Sequence, residues 1–244
     1  MAWGEQVFRY CERGQDPAFW AEPFNALTNA AFVVAAGLLA LRVRSLSPSL
    51  PRSDALVLQL LVALAASVGL GSFLFHTFAT KWSRLADVIP IGAFMGAYLV
   101  FALRAFFHLS WRVTLAILGA FLAVSALAAS IACPRQFVSI TQAAREPCLK
   151  GAMGYIPALA ALAITGTLLH RRHAASGRLL TAAGIFLAAI ILRWLDRDLC
   201  AATTLLGKVR GTHPLWHLLN AATVYVLIAA AIDGLSRRPP VDQT

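Results

Sequence analysis

The sequence predicts an all-α, polytopic membrane protein, a bundle of seven transmembrane helices, on three observations. Of its 244 residues, 59% are hydrophobic and only 13% charged, an apolar share above the roughly 45–50% of soluble domains. Mean hydropathy is +0.70. The charged residues leave seven uncharged intervals, at 23–41, 55–80, 88–103, 113–134, 151–170, 179–192 and 211–232. Most of these reach or approach the roughly 20 apolar residues that carry a helix across the hydrocarbon core. Finally, the apolar runs are continuous and rich in Ala and Leu, where a transmembrane β-barrel would alternate in polarity.

In chain order, residues 1–23 form an acidic segment with Glu5, Glu12, Asp16 and Glu22. It lacks the apolar stretch of a cleavable signal peptide, so the first helix is expected to direct insertion. Helices are expected at about 24–44, 54–78, 84–106, 112–133, 151–170, 178–197 and 213–234, followed by a tail at 235–244, all within one domain. The 179–192 interval is short. Its helix therefore takes in Arg193 and Trp194 near one interface, where Arg snorkels and Trp is favoured.

The formal net charge of +10 and pI near 10.3 would suit nucleic acid, but the basic residues cluster between apolar runs as Arg42/Arg44, Arg171/Arg172 and Arg237/Arg238. Such clusters flank membrane spans, and no nucleic-acid partner is expected. An odd helix count puts the termini on opposite sides. Lys and Arg divide almost evenly between the two sides; the doublets carry few acids, whereas the other side holds Glu5, Glu12, Asp16, Glu22, Glu146, Asp196 and Asp198. This favours the N-terminus outside and the C-terminus in the cytoplasm. The composition and compact loops suggest a bacterial inner membrane.

Cys11, Cys133, Cys148 and Cys200 all fall on the N-terminal side. An oxidising exterior allows two disulfides there, in one of three connectivities, with four thiols as the alternative. Cys133 with Cys148 closes a short loop and is the easiest local pairing; Cys11 with Cys200 would then tie the N-terminal segment to the helix 6–7 loop.

Ionisable groups at membrane depth are functional candidates by default. Helix 2 ends in Gly69-Leu-Gly-Ser-Phe-Leu-Phe-His76, with Ser72 and His76 four apart on one face. Asp87, in Arg84-Leu-Ala-Asp87-Val-Ile-Pro90, falls in the first turn of helix 3. Helix 7 opens with His213-Pro-Leu-Trp-His217, again a pair four apart, and Pro214 suits a first turn. All three places lie at one membrane boundary. Three imidazoles and a nearby carboxylate suit zinc, with a fourth position left for water. Asp87 would serve as general base and then acid, and Ser72 would orient water or an oxyanion, or hold a ligand. Singly, each residue has an ordinary structural role as cap, dipole partner or packing residue. His108, His170 and His173 lie toward the opposite side beside basic residues and read as interface residues.

Together, Ser72-Phe-Leu-Phe-His76, Asp87-Val-Ile-Pro90 and His213-Pro-Leu-Trp-His217 resemble the alkaline ceramidase family, within a heptahelical hydrolase superfamily that includes adiponectin-receptor-like proteins. Tyr10-Cys11-Glu12 and Ala21-Glu22-Pro-Phe-Asn25 resemble its N-terminal region. The resemblance implies zinc held by His76, His213 and His217, a catalytic site that includes Ser72 and Asp87, a Cys11–Cys200 pair, and hydrolysis of the ceramide amide to a sphingoid base and a fatty acid. Eukaryotic members bind calcium through an acidic N-terminal loop. Glu12 and Glu22 match acidic positions and Asp16 offers another oxygen, but Arg9 stands where an acid would be expected. The alternative is a solvated acidic segment paired with Arg9 and Arg13.

Two other classes compete with a zinc-dependent lipid amidase. A heptahelical receptor or scaffold would use the zinc structurally; a retinal protein would need a lysine in helix 7, and Lys81, Lys150 and Lys208 all lie outside the spans. A metal transporter would need polar groups continuing across the membrane. Within the hydrolase class, another N-acyl or ester lipid is the alternative substrate. An intramembrane zinc protease is disfavoured because no His-Glu-x-x-His occurs.

Overall fold

The computed structural model describes residues 2–134, 145–171, 173–205 and 207–236. Seven helices in it are long and apolar enough to cross a membrane: α1 Pro23–Ser49, α2 Arg52–Phe78, α3 Lys81–Ala105, α4 Trp111–Ser130, α5 Cys148–Leu168, α6 Ser176–Leu195 and α7 His213–Leu235. Arg172, Arg237 and Arg238, which weigh in the orientation, lie outside the described residues.

Each helix packs on its neighbours in sequence, and α7 closes the ring against α1 while also touching α2 and α3. Of the seven, α7 is the most buried and α4 the least. The main core joins Phe32 and Leu39 of α1, Leu58 and Leu61 of α2, Phe94 and Tyr98 of α3, and Ile228 and Ile232 of α7. Outward-facing apolar residues such as Leu41, Leu56, Leu127 and Ile164 remain exposed, as a lipid-facing surface requires. At the end of α7 remote from His213, Asp233 pairs with Arg42 and Arg178.

Three local devices place the chemistry at the opposite end of the bundle. Between α2 and α3 the chain turns in a few residues: Ala79 takes a left-handed conformation, with φ 48°, and Thr80 and Ser83 form a capping box that starts α3. The N-terminal segment lies along this turn, with Val7 N–H donating to Ala79 at 2.6 Å and Lys81 N–H to Glu5 at 3.0 Å.

The second device is a close approach. Pro90 lacks the N–H that would bond the Ala86 carbonyl. That oxygen instead faces Gly71 of α2, where a Cβ would lie only 1.9 Å from it. Glycine at 71 thus brings Ser72 and Asp87 together across the α2–α3 interface.

The third is covalent. Disulfides join Cys11 to Cys200 and Cys133 to Cys148, the connectivity expected. The first ties the N-terminal segment to the α6–α7 connection, and the second closes the short hairpin of Ala132–Pro134 with Arg145–Pro147.

Candidate metal centre and lipid pocket

His76 comes from the last turn of α2, and His213 and His217 from the first two turns of α7; all three are buried. One ring nitrogen of each lies within 4.8 Å of the others, and this is the metal-type donor group found among the described residues. Ring centroids are 4.5 to 5.1 Å apart.

Each ring is held from behind. His76 Nδ1 meets Glu22 Oε2 at 2.6 Å. His217 Nδ1 meets the Thr28 hydroxyl at 2.9 Å. With the Thr28 hydroxyl proton on the Phe24 carbonyl at 2.8 Å, His217 Nδ1 would carry the ring hydrogen and leave the Nε2 lone pair for a metal. The Glu22 carboxylate assigns the same tautomer to His76. His213 is positioned through its backbone: its N–H and that of Thr212 donate to Asp196 Oδ1 at 2.9 and 2.8 Å, while Cys11 N–H donates to Oδ2 at 3.1 Å. Gly211 makes this possible, because its φ is +72° and a Cβ there would collide with Asp196 Oδ1. Tyr10 stacks on His213 with ring centroids 3.7 Å apart.

The donor set fits a metal ion on two counts. His76 Nε2 and His213 Nδ1 are buried with no hydrogen-bond partner, and buried imidazole nitrogens are seldom left so. Rings steered by carboxylate and hydroxyl partners on their far nitrogens are the usual surroundings of zinc-binding histidines.

Ser72 Oγ lies 3.5 Å from His217 Nε2, and Asp87 is beside it in the same pocket. From Tyr10, Asp87, Arg193, His213 and His217 at its polar end, the pocket runs between Val68, Phe94, Tyr98, Leu179, Val224 and Leu227. His217 and Leu227 are ten residues apart in one helix, about 15 Å along its axis.

The acidic N-terminal residues are placed differently from a cluster of calcium ligands. Glu12 accepts the Phe24 and Asn25 N–H groups at 2.9 and 2.8 Å, opening α1, and pairs with Arg210 at 2.9 Å. Asp16 caps Ala18 N–H at 2.8 Å. Glu22 is shared between His76, Asn25 and Arg13 Nε, the last at 2.6 Å. Arg13, buried, also donates to the carbonyls of Asp16, Ala18, His76 and Thr77. A guanidinium thus occupies the centre of the oxygen-rich loop. Burial works against ionisation of Glu22, but His76, Arg13 and Asn25 hold its carboxyl below the usual range. Burial pushes Asp196 up, against its three N–H donors.

Arg193 corrects the sequence reading. Rather than snorkelling at an interface, its side chain turns inward, 9% exposed, while neighbouring Trp194 faces out. The rings of Tyr155 and Trp216 and the Lys150 carbonyl receive the guanidinium, which an apolar interior alone would not. Sequence reasoning also missed the positions of Tyr10, Thr28 and Asp196. Asp196 and Arg193 carried a signal, being charges at the edge of an apolar run; Thr28 carried none.

Seven apolar helices around a buried three-histidine donor group, with a carboxylate and a hydroxyl at the head of an apolar pocket, define a heptahelical membrane-type protein with a candidate metal site at that pocket. The Ceramidase family model matches residues 8–233, and the chain belongs to that family. No curated protein matches the chain.

Proposed function

We propose that this protein is a zinc-dependent intramembrane amidase that hydrolyses ceramide-like lipids to a sphingoid base and a fatty acid. The observation that carries this reading is the pair of unpartnered buried nitrogens, His76 Nε2 and His213 Nδ1, at the polar head of the apolar pocket. Family membership supports it. His76, His213 and His217 would hold the ion, which when bound supplies a Lewis acid for the amide carbonyl and makes water more acidic.

The chain's own residues do the rest. The apolar walls take the hydrocarbon chains and bring the amide to the histidine end of the pocket. Asp87 accepts a proton from the attacking water and returns it to the leaving nitrogen, which balances the hydrolysis. Ser72 donates its hydroxyl to the oxygen on which negative charge grows. Glu22, Thr28 and Asp196 keep the imidazoles aimed.

The same reading places the N-terminus outside, the C-terminus in the cytoplasm and the chain in a bacterial inner membrane as a single seven-helix domain. It gives calcium no part in turnover, since Arg13 already fills the N-terminal loop with positive charge.

The test is elemental analysis of detergent-purified protein beside His213→Ala, with ceramide hydrolysis followed by release of fatty acid. Wild type is expected to hold one zinc per chain and to release fatty acid, and the variant to lose both. A zinc-replete wild type that leaves ceramide and other N-acyl or ester lipids intact would make the centre structural, as in a receptor or scaffold.

A further inference from the structure

Arg13 belongs to the segment that precedes α1, and its side chain is wholly shielded from solvent. A guanidinium carries five N–H donors in a fixed fork, and five oxygens receive them here. Nε donates to Glu22 Oε1 at 2.6 Å, and Nη1 to the carbonyls of Asp16 and Ala18 at 3.1 and 2.7 Å. Nη2 donates to the carbonyls of His76 and Thr77 at 2.9 and 3.1 Å.

The last two carbonyls need a donor from outside their own helix. A helix leaves its final carbonyls without intrahelical partners, and at the end of α2 the N–H groups that would continue the ladder are turned elsewhere. Thr80 N–H donates to Ser83 Oγ at 2.9 Å, and Lys81 N–H to the Glu5 carbonyl at 3.0 Å. Arg13 fills that gap, and its positive charge suits the negative end of the helix dipole.

The same guanidinium also reaches the ring of His76. By holding Glu22 Oε1, it leaves Oε2 for His76 Nδ1 at 2.6 Å and Asn25 Nδ2 at 3.0 Å. His76 is thus gripped at its carbonyl directly and at its imidazole through one carboxylate. With backbone and Nδ1 both fixed, Nε2, which has no hydrogen-bond partner, is the nitrogen left for the donor group with His213 and His217. A lysine could not make this arrangement, because its three donors radiate from one point and cannot span a carboxylate, a helix end and a loop. Arg13 does not line the pocket, so it meets the histidine and not the lipid.

We infer that Arg13 is a positioning residue of the candidate metal centre: it sets His76 by clamping its backbone and, through Glu22, its ring, so that zinc affinity depends on the N-terminal segment being docked on the end of α2. This inference rests on the zinc-site reading above.

The test measures zinc Kd by chelator competition on the detergent-purified full chain, for wild type, Arg13→Lys, Glu22→Gln, their double variant and Lys81→Gln. Ceramide hydrolysis is followed in the same samples at saturating zinc. Lys81 pairs with Glu5 and so ties the same segment to the same turn without touching a histidine; Lys81→Gln should leave zinc Kd unchanged. Arg13→Lys should weaken zinc binding by about tenfold or more, within the range of supporting residues, and lower kcat with little change in KM. The double variant should lose less than the product of the two single losses, because Arg13 and Glu22 act on one ring in series.

Equal zinc Kd in wild type and Arg13→Lys, a matching loss in Lys81→Gln, or strictly multiplicative losses in the double variant overturns the inference. A wild type that binds no zinc overturns it together with the zinc-site reading. If Arg13→Lys weakens zinc binding while wild type leaves ceramide intact, the amidase reading fails and the role of Arg13 stands. Should Arg13→Lys not fold, Arg13→Ala prepared with methylguanidinium carries the comparison. Withdrawing that cation should then weaken zinc binding by about tenfold, and an unchanged Kd overturns the inference.

Discussion

The Cα of Gly71 packs directly against the carbonyl oxygen of Ala86, whose usual helical donor is missing because residue 90 is proline. A methyl group at 71 would overlap this oxygen, and both partners are backbone, so the helices themselves must part. Gly71→Ala should therefore destabilise the protein by about 1–3 kcal/mol and separate Ser72 from Asp87, with a loss of turnover beyond the loss of folded protein. Thermal unfolding in detergent and hydrolysis per folded molecule check this. Gly119→Ala, where a Cβ meets nothing within 4 Å, should change neither.

Glu22 holds a metal-type histidine from behind while neutralising a buried arginine. Glu22→Gln should lower zinc affinity by about 10–100-fold, the range seen for such supporting residues, read by competition with a chromogenic chelator. Glu22→Ala adds an uncompensated Arg13 and should cost a further few kcal/mol of stability, on the order of 3–5 kcal/mol. Unchanged zinc affinity in Glu22→Gln would show that His76 needs no orientation.

Removing zinc with a chelator should abolish lipid hydrolysis, and zinc alone should restore it. Calcium, by contrast, should neither raise nor lower turnover, because the five oxygens around Arg13 already enclose a cation. A calcium-dependent rise in rate would mean that the segment rearranges to admit the ion.

Cys200→Ser should free the N-terminal segment from the α6–α7 connection. Limited proteolysis before residue 23 should become rapid, and stability should drop by about 2–4 kcal/mol. Activity should drop as well, since Tyr10 stacks on His213 one residue before Cys11. Opening Cys133–Cys148, which joins the end of α4 to the start of α5 and touches no histidine, should cost hydrolysis less than opening Cys11–Cys200.

Seven helices and the three histidines were legible because each is a local signal: an uncharged run of sufficient length, or a pair of side chains one turn apart. Topology then placed His76, Asp87, His213 and His217 at one end. What could not be read was which face each helix turns inward. The partners that aim the histidines lie far away in sequence, Glu22 54 residues from His76 and Thr28 189 from His217. Arg193 shows the same limit, since a charge near a span end reads equally as outward-facing or pocket-lining until the neighbouring rings are known.

The three-histidine donor group comes from α2 and α7, and the disulfide that pins the N-terminal segment joins residues 11 and 200. During synthesis, the segment that carries Tyr10, Arg13 and Glu22 therefore has no covalent anchor until six helices have been made, and two of the three histidines, His213 and His217, exist only once α7 has begun. The three-histidine group is therefore the last of these features to have all its residues. A ribosome-bound chain that ends before residue 213 holds only His76 of the three histidines, so it lacks the donor group that the proposed chemistry needs.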